Sequence, residues 1–143
     1  MRPISPRRHT QKTGDISESA VVTRLLQCGY GVLMPYGQLH RYDLVIEDAD
    51  GKFWRVQVKT GWLNEDQSII KFATASSMNY TVKHKGWRSY KGQCEYFAVH
   101  VEDLNKVYFI PIDDVGASQA TLRLTASKNN QEKLVRWAKD YEL

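Results

Sequence analysis

Residues 41–61 read RYDLVIEDADGKFWRVQVKTG, and this stretch decides the fold. Two runs rich in β-branched and aromatic residues, 42–47 and 53–60, flank Asp48-Ala49-Asp50-Gly51. That tetrapeptide suits a type I turn whose glycine takes the left-handed conformation, so the spacing predicts a hairpin. With the turn centred on residue 50, cross-strand partners have numbers that sum to about 100. Asp43 then falls opposite Gln57, and Arg41 opposite Lys59. Alternation sets Gln57 and Lys59 on one face of their strand, with Val56 and Val58 on the other. Three polar side chains, Asp43, Gln57 and Lys59, converge on one patch.

Working outward, residues 15–28 put Ile16, Ala20, Val21, Leu25 and Cys28 on one helical stripe, with Asp15 and Glu18 in the first turn, where the helix dipole favours acids. Gly29 ends that helix. Residues 30–36 form a strand before the hairpin. Ahead of the helix, residues 1–13 contain two prolines and three arginines and read as a flexible basic arm. Downstream, residues 68–73 read as a short strand, and 76–92 as a polar stretch holding either a helix or an extended loop. Residues 95–101 and 107–112 are expected to pair as a second hairpin. A last helix is expected over 130–141, with Leu134, Ala138 and Tyr141 at core spacing.

The chain has 143 residues, with 20 Lys and Arg against 16 Asp and Glu, a formal net charge of +4. The arm carries Arg2, Arg7, Arg8 and Lys12 with no acid, so the remainder is balanced. Within that remainder, residues 67–94 hold Lys71, Lys83, Lys85, Arg88 and Lys91 with no carboxylate. The length gives one domain, expected over residues 14–143. There is no apolar run of membrane-spanning length and no secretory signal pattern, so a cytoplasmic protein is expected. Cys28 and Cys94 lack ligand spacing, which argues against a disulfide or a zinc site.

An acid on one strand, an amide oxygen and a lysine two apart on the next, and an acid from the preceding helix suit phosphodiester cleavage. Asp43, Gln57 and Glu18 are the candidate ligands of a hard divalent cation, Mg2+ with Mn2+ as a substitute. Lys59 is the candidate that orients the attacking water or stabilises the charged phosphorane. A neutral amide at 57 supplies an oxygen and no charge, so metal would be held more weakly than by an acid. His40, beside Arg41, reads as polar surface. The segment 83–91 interleaves Lys83, Lys85, Arg88 and Lys91 with Trp87 and Tyr90, as a phosphate-contacting surface does. With Arg7 and Arg8 of the arm, these four cations are the candidate DNA contacts.

The runs Gly14-Asp15-Ile16-Ser17-Glu18, Arg41-Tyr42-Asp43-Leu44-Val45-Ile46 and Arg55-Val56-Gln57-Val58-Lys59-Thr60-Gly61 resemble the PD-(D/E)xK nuclease superfamily, and within it the small bacterial group I intron homing endonucleases. The likeness covers roughly residues 14–112. By that resemblance Asp43 matches the acid of the motif, Gln57 the D/E position, Lys59 the lysine and Glu18 the helical acid; Tyr42 stands where the motif has proline. The resemblance implies an α/β fold with a restriction-endonuclease-like core, a central mixed β-sheet flanked by helices in αβββαβ order. It also implies a metal-dependent endonuclease of double-stranded DNA, of homing or site-specific type, acting as a homodimer or homotetramer. The alternatives are a nuclease that reads branched DNA, as a Holliday-junction resolvase or repair enzyme does, and a DNA-binding module of the same fold that has lost catalysis.

Overall fold

The structure, a computed structural model, describes residue 1 and residues 10–79 and 85–143. One α-helix, α1 (Thr10–Gln27), precedes ten strands: β1 (Gly31–Leu33), β2 (Leu44–Glu47), β3 (Phe53–Thr60), β4 (Trp62–Leu63), β5 (Ile69–Ala73), β6 (Ala75–Asn79), β7 (Lys85–Ser89), β8 (Tyr96–Val101), β9 (Lys106–Pro111) and β10 (Gln119–Arg123). The central sheet runs β1-β2-β3-β8-β9. It is mixed, because β3 and β8 are parallel and the other pairs antiparallel.

The expected hairpin forms in the expected register: Leu44 pairs with Val56, Val45 with Arg55, Ile46 with Trp54 and Glu47 with Phe53. Its turn is fixed at both levels. Gly51 adopts φ 75° and donates its N–H to Asp48 O at 3.0 Å. The Asp48 carboxylate accepts from Trp54 Nε1 at 2.8 Å and from the backbone N–H groups of Asp50 and Lys52, both at 2.9 Å. Those three bonds, the indole's foremost, hold the Asp48 carboxyl below its ordinary pKa.

Each face of the central sheet carries its own apolar layer. On one, α1 buries Val21 and Leu25 against Leu44, Ile46, Val56, Val58, Ala98 and Val107. On the other, Phe97, Val99, Val101, Tyr108 and Ile110 pack with Ile70, Phe72 and Leu122 of a second sheet, ordered β10-β5-β4. The middle strand β8 is therefore buried on both sides, as a strand between two layers must be. Gly61 sits where the chain leaves β3 for the second sheet. A Cβ there would meet Val99 Cγ1 at 2.8 Å and Ile70 Cγ2 and Val101 Cγ2 at 2.9 Å, so only a residue without a side chain lets the two layers close.

Four expectations are corrected. The helix starts at Thr10, so residues 10–13 belong to it and not to a flexible arm; residues 2–9, with Arg7 and Arg8, lie outside the described residues. The described residues of 76–92 hold no helix; they form the antiparallel pair of strands β6 and β7, in which Ser77 pairs with Trp87, while residues 80–84 lie outside the described residues. Residues 130–141 do not form the expected α-helix; their one helical piece is a 3-10 turn, Ala138–Asp140. Asn130 and Leu134 have φ of 51° and 62°, and Leu134 is 92% exposed. The segment instead runs along sheet edges, with Arg123 N donating to Arg136 O and Phe109 N to Tyr141 O, both at 2.7 Å. Finally, α1 is the one α-helix among the described residues. The face opposite it is covered by the second sheet, and the crossover from β3 to its parallel neighbour β8 runs through strands.

Candidate active site

Asp43 lies one residue before β2, and its N–H donates at 3.0 Å to the carbonyl of Val56, the residue that Leu44 pairs with, so the regular ladder ends here. The side chain then reaches β3: Asp43 Oδ2 accepts from Gln57 Nε2 at 2.6 Å and from Val58 N at 2.8 Å. Burial raises the pKa of the Asp43 carboxyl, while the Val58 N–H, the Lys59 charge and the Gln57 amide oppose that rise without cancelling it. Glu18 sits in the third turn of α1, so the helix dipole does not account for an acid there. Its pKa is raised by burial and next by the negative charge of Asp43. The two carboxylates line one small cavity of about 200 Å3, which Lys59, Asp15 and Gly14 also line.

Ser17 fixes the helix beside this cavity. It is buried, and its hydroxyl bonds Thr60 Oγ1 at 2.7 Å and His100 Nδ1 at 3.2 Å, tying α1 to the ends of β3 and β8. Burial lowers the His100 pKa, an effect Glu102 partly offsets, and so favours the neutral imidazole beside Ser17.

Lys59 is steered by Tyr90, which is buried. Lys59 Nζ donates to Tyr90 Oη at 3.2 Å and lies 4.5 Å from the ring centroid. The Arg41 guanidinium is 4.4 Å from the same centroid. Arg41 also donates to Ser76 Oγ at 2.8 Å and to the carbonyls of Ser89 at 2.9 Å and Arg88 at 3.2 Å, which docks the β6-β7 pair. Its Nε is buried with no hydrogen-bond partner among the described residues.

Asp43, Lys59 and Glu18 thus line one cavity, and Gln57 reaches it through Asp43. Gln57 turns its NH2 toward Asp43 Oδ2, so the amide serves first to hold that carboxylate. Arg88 and Lys91 are exposed on the β6-β7 side, while Lys83 lies outside the described residues. Trp87 does not anchor its segment, being 71% exposed; Tyr90 does. His40 is exposed and bonded to Tyr36 O at 3.0 Å. Cys94 is buried, and that burial pushes its thiol up to about 12; Cys28 is exposed. No cluster of three or more His, Cys, Asp or Glu side chains suited to a metal occurs among the described residues. Tyr90 and Ser17 went unassigned at the sequence level. The signal for Tyr90 was its place among the cations of residues 83–91; for Ser17 there was none.

A mixed sheet that delivers an aspartate and a lysine to a cavity closed by a helical glutamate defines a nuclease of restriction-endonuclease-like fold. Residues 8–143 match the family model described as PD-(D/E)XK endonuclease, and the chain belongs to that family. Its structure is similar to that of a bacterial homing endonuclease, I-Ssp6803I, with a TM-score of 0.73 and 27% identity over 94% of this chain and 89% of that one. It is also 40% identical over 55 residues to the UPF0102 protein CE1920 of Corynebacterium efficiens, a match spanning 35% of this chain and 43% of that relative. No helix among the described residues is long and apolar enough to cross a membrane.

Proposed function

We propose that this endonuclease cuts double-stranded DNA at specific sites, in the manner of a homing enzyme, and depends on Mg2+. The observation that carries the reading is the pair Glu18 and Asp43, which line one cavity with Lys59, the charge of Asp43 helping to raise the Glu18 pKa. The donor set suits a hard cation: no described hydrogen bond reaches Asp43 Oδ1 or the Glu18 carboxylate, and neighbouring, partly buried carboxylates are stabilised by a positive charge between them. Asp43, Glu18 and the Gln57 amide oxygen are the groups that would hold it. A divalent cation bound there supplies charge neutralisation at the phosphate and a more acidic water.

The chain's own groups do the rest. Gln57 and Val58 N–H fix the Asp43 carboxylate in one orientation. Lys59, held by Tyr90, offers its ammonium to the phosphate oxygens as negative charge accumulates on them, an interaction stronger in the transition state than in the ground state. Arg88, Lys91, Lys83 and Lys85, with Arg7 and Arg8 ahead of the helix, supply phosphate contacts that position the duplex. Cutting both strands requires two sites, so a homodimer or homotetramer belongs to the proposal. Met34, Tyr36 and Leu39, exposed after β1, offer apolar surface for a second copy.

The test is a comparison of wild type with Lys59→Ala on a library of duplex targets in Mg2+. Lys59→Ala should lose at least about 100-fold in cleavage, as loss of an oxyanion-stabilising group does, while DNA binding in EDTA is kept. Equal cleavage by the two proteins would overturn the assignment of Lys59.

A further inference from the structure

Lys59 and Thr60 line a second, larger cavity of about 530 Å3 that opens on the side of the second sheet. Its walls include Trp62 on β4, Lys71 on β5 and Trp87 on β7. The two indoles are exposed, Trp62 by 57% and Trp87 by 71%, and Lys71 is the direct cross-strand partner of Trp62. No carboxylate lines the cavity; Gln119 and Ser118 supply neutral polar groups. A single exposed tryptophan is unremarked on most surfaces. Two from different sheets around one cavity that Lys59 and Lys71 also line call for a ligand that is flat, apolar on its faces and attached to negative charge.

A nucleotide has that chemistry. Its base stacks on indole whatever its identity, and its phosphate suits Lys59 and Lys71. The volume lies within the range of about 300–1,000 Å3 typical of small-molecule sites, so a base enters with its sugar. Because Lys59 also lines the acidic cavity, one phosphate at Lys59 can face the carboxylates while the attached base turns into the tryptophan cavity. A base stacked inside a duplex cannot do this; it must be unpaired or swung out.

Resting on the nuclease reading above, we propose that the cavity between Trp62 and Trp87 receives an unpaired nucleobase next to the cut phosphate. The substrate class is then duplex DNA with an unstacked nucleotide at the cleavage site, present beforehand or extruded on binding. Trp62 and Trp87 become the residues that favour such DNA over a regular duplex.

The experiment measures equilibrium binding of the full chain in EDTA to three labelled duplexes of one sequence: fully paired, carrying a one-nucleotide 2-aminopurine bulge, and carrying the same bulge without its base. Wild type should bind the 2-aminopurine bulge about ten-fold tighter than the abasic one, with 2-aminopurine fluorescence quenched on binding. The double variant Trp62→Ala, Trp87→Ala should bring the two bulges within about two-fold while keeping the thermal midpoint and paired-duplex affinity, and Trp62→Phe, Trp87→Phe should retain most of the preference. Equal wild-type affinity for the two bulges, no binding to any of the three duplexes, or a preference that survives the double alanine change would overturn the proposal. Cleavage in Mg2+ separates the two readings. Cleavage without a base preference removes the base cavity and leaves the nuclease, whereas a tryptophan-dependent preference without cleavage does the reverse.

Discussion

Asp43 meets opposing demands. Its burial favours the neutral form, yet two N–H groups and a lysine favour the charged one, and burial prevails. A carboxyl whose folded pKa is raised keeps its proton to higher pH in the native than in the unfolded state. Its contribution to stability is therefore fully present below the ordinary carboxylate value and is lost as pH climbs from there through the raised folded pKa. Glu18 acts in the same direction. His100, with a lowered pKa, acts oppositely: protonation of its unfolded form costs stability as pH falls below about 6.5. The difference between wild type and Asp43→Asn isolates the acid pair, since His100 is common to both. In EDTA, Asp43→Asn should gain thermal stability relative to wild type as pH rises from 4 to 7, and added Mg2+ should shrink that gap by stabilising wild type alone. A constant difference across pH, in melting scans, would show the carboxylates to be uncoupled from folding.

At the level of elements, two glycines make opposite predictions. Gly14 lies in the second turn of α1, and a Cβ there meets nothing within 4 Å; Gly14→Ala should stabilise the protein by about 0.5–1 kcal/mol in denaturant titration. Gly61→Ala should cost about 1–3 kcal/mol, because it forces Val99, Ile70 and Val101 apart where the two sheets meet. The hairpin that carries Asp43, Gln57 and Lys59 was legible from sequence because its register depends on a short local turn, and Asp48 and Gly51 specify that turn without help from the rest of the chain. The helix was legible too, but not its start: Thr10 to Thr13 are polar, and periodicity says nothing about a turn with no apolar residue to repeat. Residues 76–92 and 130–141 misled for another reason. Leu134, Ala138 and Tyr141 have helical spacing, yet the segment is held by backbone bonds to Arg123 and Phe109, partners remote in sequence that a periodic pattern cannot announce. Likewise the approach of Tyr90 to Lys59 depends on how the chain returns after β7 to a residue far back in sequence.

Across the whole molecule, the surplus charge acquires a direction. Arg88 and Lys91 are exposed, and Lys71 lines the cavity beside Lys59, so cations border the acidic site that would otherwise repel DNA. Arg2, Arg7 and Arg8 precede the helix. Removing residues 1–8 spares α1, and it should lower the salt dependence of DNA binding by up to about 0.9 in log–log slope for each arginine that contacts a phosphate, with the thermal midpoint unchanged. An unaltered slope in anisotropy titrations would remove Arg7 and Arg8 from the DNA surface. The chain belongs to the PD-(D/E)XK endonuclease family; in the proposed site, Gln57 in place of an acid leaves Glu18 and Asp43 as the charged groups that would hold a cation. The most direct measurement is therefore strand scission of duplex DNA carrying a target, by wild type and by Asp43→Ala, each in Mg2+ and in EDTA. The account predicts cutting by wild type in Mg2+ alone, with none in EDTA and none by Asp43→Ala under either condition. Undiminished cutting in EDTA, or by Asp43→Ala in Mg2+, would contradict it.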